Sequence, residues 1–318
     1  MIDRDLARAQ LTDNSVNYFD DIVKSRVLGA SRQTKLICKM FESIAEDENN
    51  DVHQVKDKIT IVANYFKETR GQNSRAIYNA INEVLGEIYS CFKNSEFNRK
   101  ELIEKIENYE NVLNGNVEKS AEYAAILCQN VDTIMIFDYS STVDKFIKKL
   151  EGKKCIYIPE SRALNGGKPF LETAQKAGHE IHFIPDTLML VALKKCQIAF
   201  IGAETIYPDG SIFNTVGADI LGILCQEINI PLYAISPLIK TDIRNIYGIT
   251  KEAPMPFDFS VRLATEWTEQ EKEGIDFKGI KLVKIDKKYI TGIVTEQGIV
   301  PSYAFYQVAL DYNKRLEG

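Results

Sequence analysis

No stretch of this chain reaches the roughly 18 consecutive apolar residues that a membrane-spanning helix needs, so no membrane partner is expected. There is no excess of positive charge: the formal net charge is −6 and the isoelectric point about 5.4. Such a balance argues against a direct, sequence-independent nucleic-acid binder. No two of the six cysteines (Cys38, Cys91, Cys128, Cys155, Cys196 and Cys225) stand at CxxC spacing. Most lie in apolar patterns, as free thiols in a reducing cytoplasm would. The three histidines, His53, His179 and His182, make no metal constellation in the sequence. The opening residues MIDRDLARAQLTDN carry charges and no apolar core, so no secretory signal is expected. Neither G-x-G-x-x-G after a strand nor a Walker-type GK[ST] occurs, and no cofactor is expected. No solenoid-type repeat and no low-complexity segment is present.

What is there is an ordinary globular composition, 45% hydrophobic and 26% charged over 318 residues, enough for two domains. Residues 1–115 read as helical. Leu36, Ile37, Met40, Phe41 and Ile44 recur at helical spacing, as do Ile59, Val62, Ala63 and Phe66. The polar run Thr69–Arg75 reads as a turn, after which Ser74 caps a helix buried through Ile77, Ile81, Val84, Leu85 and Ile88. Asn114-Gly115-Asn116 marks the boundary to a second domain, 116–318.

From Thr133 the pattern changes to short apolar strands alternating with helices. The strands are Thr133–Phe137, Cys155–Ile158, Ile181–Ile184, Ile198–Ile201 and Leu232–Ile235. Such alternation predicts an α/β fold with a parallel sheet covered on both faces. In Cys196–Pro237, a helical pattern opens at Asn214 and runs through Ile220, Leu221, Leu224 and Ile228. Farther on, Ala253–Phe257 reads as extended, Ile280–Ile285 and Thr291–Thr295 as strands, and Ser302–Leu316 as a closing helix.

The strand ends share a chemistry. Asp138, Glu160, Asp186 and Glu204 each follow a strand within three residues, and Arg162 comes two after Glu160. In an open parallel sheet the carboxyl edge is where ligands bind. Ser140, Ser141 and Thr142 stand at a helix start, where hydroxyls and backbone N–H groups can hold phosphate. Each acid or hydroxyl is equally an ordinary helix cap. Asp138 and Glu204 are an acid/base candidate pair if close and partly buried. An acidic edge needs cations to hold phosphate, and Arg162, Arg70, Arg75 and Lys240 are the candidates, each equally a solvated charge.

Taken together these residues resemble the superfamily that joins the regulatory alpha, beta and delta subunits of translation initiation factor 2B to methylthioribose-1-phosphate and ribose-1,5-bisphosphate isomerases. The motifs are Glu160-Ser161-Arg162, Asp186, Ile201-Gly202-Ala203-Glu204, Asp209-Gly210, Asn214-Thr215-Val216-Gly217, Pro231-Leu232-Tyr233 and Thr291–Gly298. Gly29-Ala30-Ser31 and Thr69–Asn79 match more loosely. The resemblance implies a helical N-terminal domain, a Rossmann-like ligand-binding domain, a pocket between them and assembly as a homodimer or larger. It also exposes departures. Asp138 stands where the isomerases carry a Cys, and Glu204 where they carry an Asp. Leu28 replaces an Arg, and Thr215 a Lys. Arg70 and Arg75 compete for one phosphate-binding role. The expectation is therefore a cytoplasmic, initiation factor 2B-like protein that binds a phosphorylated sugar or nucleotide in a regulatory or assembly role, through Arg70, Arg75, Ser140, Ser141, Glu160, Arg162, Asn214 and Lys240. The alternative is an aldose–ketose isomerase of a phosphorylated pentose using Asp138 and Glu204.

Overall fold

A computed structural model describes residues 3–27, 29–93, 97–249 and 256–317. Leu28 and Ala253–Met255 lie outside the described residues. The chain divides into two units, one running through Gly115 and rejoined by the segment from Asp311, the other Asn116–Leu310.

The first unit is helical: α1 (Arg4–Ala9), α2 (Val16–Val23), α3 (Ala30–Glu46), α4 (Val52–Asn73), α5 (Arg75–Phe92) and the first part of α6 (Arg99–Ile126). Asp51 and Gln54 form a reciprocal capping box that starts α4. The predicted face of α5 is the buried one. Phe19, from α2, meets Tyr65 and Phe66 of α4 at ring-centroid distances of 5.0 and 5.3 Å. The expected turn over Thr69–Arg75 is largely helical instead. Thr69–Asn73 continues α4, and only Ser74 leaves the helical region; it sits at the cap position of α5 without a side-chain cap bond. Helix α6 runs unbroken through Asn114-Gly115-Asn116. Long helices absorb single glycines at a cost of about 1 kcal/mol when packing elsewhere holds them.

In the second unit the elements are β1 (Thr133–Phe137), α7 (Ser141–Lys149), β2 (Cys155–Pro159), α8 (Phe170–Lys176), β3 (Glu180–Ile184), α9 (Met189–Leu193), β4 (Ile198–Ile201), β5 (Thr205–Ile206), β6 (Ile212–Thr215), α10 (Ala218–Glu227), β7 (Leu232–Ile235), β8 (Pro256–Asp258), α11 (Ser260–Leu263), α12 (Glu269–Lys272), β9 (Lys278–Ile280), β10 (Leu282–Ile285), β11 (Gly292–Thr295) and β12 (Gly298–Pro301). Helix α13 (Phe305–Glu317) closes the chain. The main sheet has the order β12-β11-β7-β4-β1-β2-β3. Its strands pair in parallel from β3 to β11, and β12 alone is antiparallel.

One face of this sheet buries Ile134, Ile136, Ile156, Ile158, Ile198 and Phe200 against Val143, Phe146 and Ile147 of α7 and Phe170 and Ala174 of α8. These strand positions are two apart, so the pleat turns them all to one side. Counted among the parallel strands alone, the order is 3-2-1-4-5-6, that of a doubly wound fold whose winding reverses between β1 and β4.

The helix expected from Asn214 begins later. Ile212–Thr215 is strand β6, antiparallel to both β5 and β10, and α10 starts only at Ala218. Gly217, at φ +103, makes the break. Two β-branched residues and an aromatic ring favour the pleated surface, and tertiary pairing decided the segment. The single strand expected over Ile280–Ile285 is likewise divided between β9 and β10.

Candidate functional site

The switch between β1 and β4 brings two strand ends together. A Cβ added to Gly202, just beyond β4, would lie 2.5 Å from the Ser140 Cβ that follows β1. Only a residue without a side chain lets these segments meet, which explains the glycine of Ile201-Gly202-Ala203-Glu204. Ser140 accepts a 3.5 Å hydrogen bond from the Val143 N–H and caps α7, while Ser141 is exposed on its first turn.

Asp138 is the centre of the edge. It is 7% exposed and holds a left-handed backbone at φ 56. Its Oδ1 accepts from the Ser161 hydroxyl at 2.8 Å and its Oδ2 from the Thr215 hydroxyl at 2.6 Å. A Cβ on Gly166 would fall 1.9 Å from Oδ1, so the chain after β2 lies directly on the carboxylate. Burial pushes the Asp138 carboxyl above its ordinary value, against the hydroxyls of Thr215 and Ser161 and the Tyr139 N–H, which pull it down. The neighbouring carboxylate it feels is Asp186, which pushes it up further.

Asp186 has work of its own. Its two oxygens accept from the backbone N–H groups of Ser161 and Arg162, each at 2.8 Å. That clamp holds Ser161 at φ 50, with Asn165 at φ 55 in the same segment. Left-handed non-glycine residues each cost on the order of 1–2 kcal/mol. Three of the five described ones, Asp138, Ser161 and Asn165, lie at the end of β1 and in the loop after β2. Strain gathered in one place is characteristic of ligand sites.

The other expected residues fall into distinct roles. Asn214 is buried; its side-chain N–H donates to the Gly202 carbonyl at 2.9 Å, and its Oδ1 accepts from the Thr215 N–H at 2.8 Å. Lys240, half-buried, donates to the Ala203 carbonyl at 2.6 Å. Both pin the loop after β4. Glu204 is on that loop and exposed, with its backbone N–H held by Phe213. Arg162 donates to the Arg262 carbonyl at 3.2 Å and stands 3.8 Å from Glu160. In the helical unit Arg70 donates to the carbonyls of Ile22 and Val23, the latter at 3.0 Å, and so closes the end of α2. The Arg75 guanidinium lies over the Tyr78 ring at 4.0 Å.

Sequence reasoning missed three partners of Asp138. Ser161 and Thr215 lie 23 and 77 residues away along the chain, and no local pattern links them. Gly166 carried a signal: Asn165-Gly166-Gly167 is turn chemistry after a strand.

A doubly wound α/β unit with a strained, hydrogen-bonded carboxylate at its switch point, preceded by helices, defines a Rossmann-like class of protein. The chain belongs to the initiation factor 2 subunit family, whose model matches residues 27–302. It is 22% identical over 305 residues to the ribose 1,5-bisphosphate isomerase of Methanocaldococcus jannaschii, covering 94% of this chain and 95% of that one. A putative translation initiation factor eIF-2B subunit 2-like protein of Pyrococcus furiosus is 27% identical over 185 residues, 57% of this chain and 62% of that protein. Among solved structures, the translation initiation factor eIF-2B of Pyrococcus horikoshii OT3 superposes with a TM-score of 0.67 at 21% identity, covering 92% of this chain and 98% of that one. The 5-methylthioribose 1-phosphate isomerase of the same organism gives 0.68 at 16%, covering 93% and 86%. At such identities the structural likeness shows the fold, and one fold serves both enzymes and factor subunits.

Proposed function

We propose that this protein binds a phosphorylated sugar or nucleotide at the carboxyl edge of its main sheet, in a regulatory or assembly role like that of initiation factor 2B subunits. The observation that carries the reading is the switch point itself, where the end of β4, the start of α7 and Asp138 converge. The first turn of α7, with Ser140 and Ser141, offers hydroxyls and N–H groups to phosphate. Arg162 supplies positive charge beside Glu160, and Glu204 is open to a sugar hydroxyl. Asn214 and Lys240 shape the loop that carries Glu204, and Asp138 is an anchor whose two oxygens are taken by hydroxyls. Apolar side chains exposed on or beside α9 and α10 (Leu188, Leu190, Val191, Ile220 and Ile223) support self-association.

A second reading is aldose–ketose isomerisation. Burial raises the Asp138 carboxyl and so favours a held proton, as a general acid needs. The likeness to a ribose 1,5-bisphosphate isomerase over nearly the whole chain also supports it.

The test is proton NMR of the protein with ribose 1,5-bisphosphate, methylthioribose 1-phosphate and AMP, beside thermal shifts. Binding without conversion is the expected outcome, with about 2.7 kcal/mol of stabilisation at 100 times the dissociation constant. Arg162→Ala should remove most of that shift. Conversion that disappears in Asp138→Asn and Glu204→Gln would establish the second reading. No shift with any of the three ligands would refute both.

A further inference from the structure

The opposite end of the sheet carries a different chemistry. Strands β2 and β3 pair in parallel with Cys155 opposite Glu180 and Tyr157 opposite His182. Residues two apart on a strand share a face, so Cys155, Glu180 and His182 project to the same side at the amino ends of these strands. The Cys155 sulfur, a Glu180 carboxylate oxygen and a His182 ring nitrogen all lie within 4.8 Å of one another. Strand β3 is an edge strand, and the side chains of Glu180 and His182 are 53% and 41% exposed, so the group is open to solvent.

We propose that Cys155, Glu180 and His182 form a binding site for a divalent transition metal of the zinc class. The donor set is thiolate, imidazole and carboxylate. That mixture suits zinc and excludes magnesium and calcium, which demand oxygen ligands. With bonds of about 2.0–2.3 Å, tetrahedral ligands stand roughly 3.3–3.8 Å apart. Small side-chain rotations close the present spacing to that range. Glu180 and His182 already touch, Oε1 to Nε2 at 3.0 Å, and an ion would replace the proton they share.

The surroundings hold the ligands. The Tyr157 ring stacks on His182 at 4.6 Å and 14°, fixing the imidazole plane. Burial and then the Glu180 carboxylate push the Cys155 thiol up, and the Thr133 hydroxyl opposite it in the register pulls against them. Lys153 stands 3.6 Å from the second oxygen of Glu180, leaving the first for the metal. Such outer partners orient ligands and typically tune affinity 10- to 100-fold, by rough measure. Among the described residues no other cysteine stands in such a group of ligands, and burial pushes the thiols of Cys38, Cys128, Cys196 and Cys225 up to about 12. Three protein ligands leave a fourth position for water or a second molecule.

The experiment uses the full chain, reduced and stripped of metal, titrated with Zn2+ by calorimetry and with Co2+ by absorption. The expected result is one ion per chain, a thiolate-to-cobalt charge-transfer band, and no binding of Mg2+. His182→Asn and Glu180→Gln change exposed positions and should keep the circular dichroism spectrum while weakening Zn2+ at least about tenfold. Cys155→Ser should abolish the charge-transfer band. Absence of that band in the unaltered protein would overturn the proposal without recourse to any variant. So would Zn2+ affinity that His182→Asn leaves unchanged.

Discussion

Replacing Thr215 by valine removes one hydroxyl and keeps the side-chain volume. Thr215 is 3% exposed, and its hydroxyl donates to the Asp138 Oδ2 at 2.6 Å. A hydrogen bond to a charged group contributes about 1.5–3 kcal/mol, and one to a neutral group about 0.5–1.5. The cost of Thr215→Val therefore depends on whether Asp138 is ionised. Burial raises the Asp138 pKa in the folded state. A raised carboxyl adds stability below its unfolded value, and that contribution is lost as pH rises through the folded one. Without the Thr215 hydroxyl, which pulls the pKa down, the folded value climbs further. The variant should lose least in acid and most above the folded Asp138 pKa, by about 1.5–3 kcal/mol. Urea unfolding followed by Trp267, the single tryptophan, reports on the second unit between about pH 4 and about pH 8. In an Asp138→Asn background the loss should shrink to about 0.5–1.5 kcal/mol and lose its pH dependence. A cost equal at every pH and in both backgrounds would refute the idea that the hydroxyl serves the carboxylate.

Gly166→Ala should destabilise by at least about 1–3 kcal/mol in urea, because the new methyl falls 1.9 Å from Asp138 Oδ1 and 2.9 Å from the Tyr139 nitrogen. Gly210→Ala should be at least as damaging on the same assay: its φ is +84 and the Ser302 carbonyl oxygen would lie 2.0 Å from the methyl. Glu83 is half-buried between the hydroxyls of Tyr109 and Tyr312, at 2.5 and 2.7 Å, and desolvation raises its pKa. Its favourable contribution is present below the unfolded value of 4.5 and fades as pH rises through the folded one. Glu83→Gln should therefore gain on the unaltered protein as pH rises across that window. A stability difference that does not change with pH would count against the raised carboxyl.

Much of the sheet was legible because its signal is local. Thr133–Phe137, Ile198–Ile201 and Leu232–Ile235 are short apolar runs bounded by polar turns, and each is a strand with those bounds. The buried face of α5 followed from its 3.6-residue period. Asn214 misled because helical spacing downstream of Gly217 was extended back across it. Only pairing with β5 and β10 turned Ile212–Thr215 into a strand. The two units divide between Gly115 and Asn116, the stretch read as a boundary, although α6 runs through it without a break.

The same division governs the site. That acids stand at the ends of the strands was written in the sequence, since each follows an apolar run within three residues. What each acid does was not. Asp138 is gripped by hydroxyls from two other segments, Asp186 is spent on backbone amides, and Glu204 stays exposed. Cys155 and His182, 27 positions apart in the chain, become neighbours only through the register of β2 against β3. The sequence by itself determined which residues face the core, because pleat and helix periods depend on near neighbours alone. Which polar groups meet was decided by the tertiary structure, because strand order and register are set by the packing of the whole sheet.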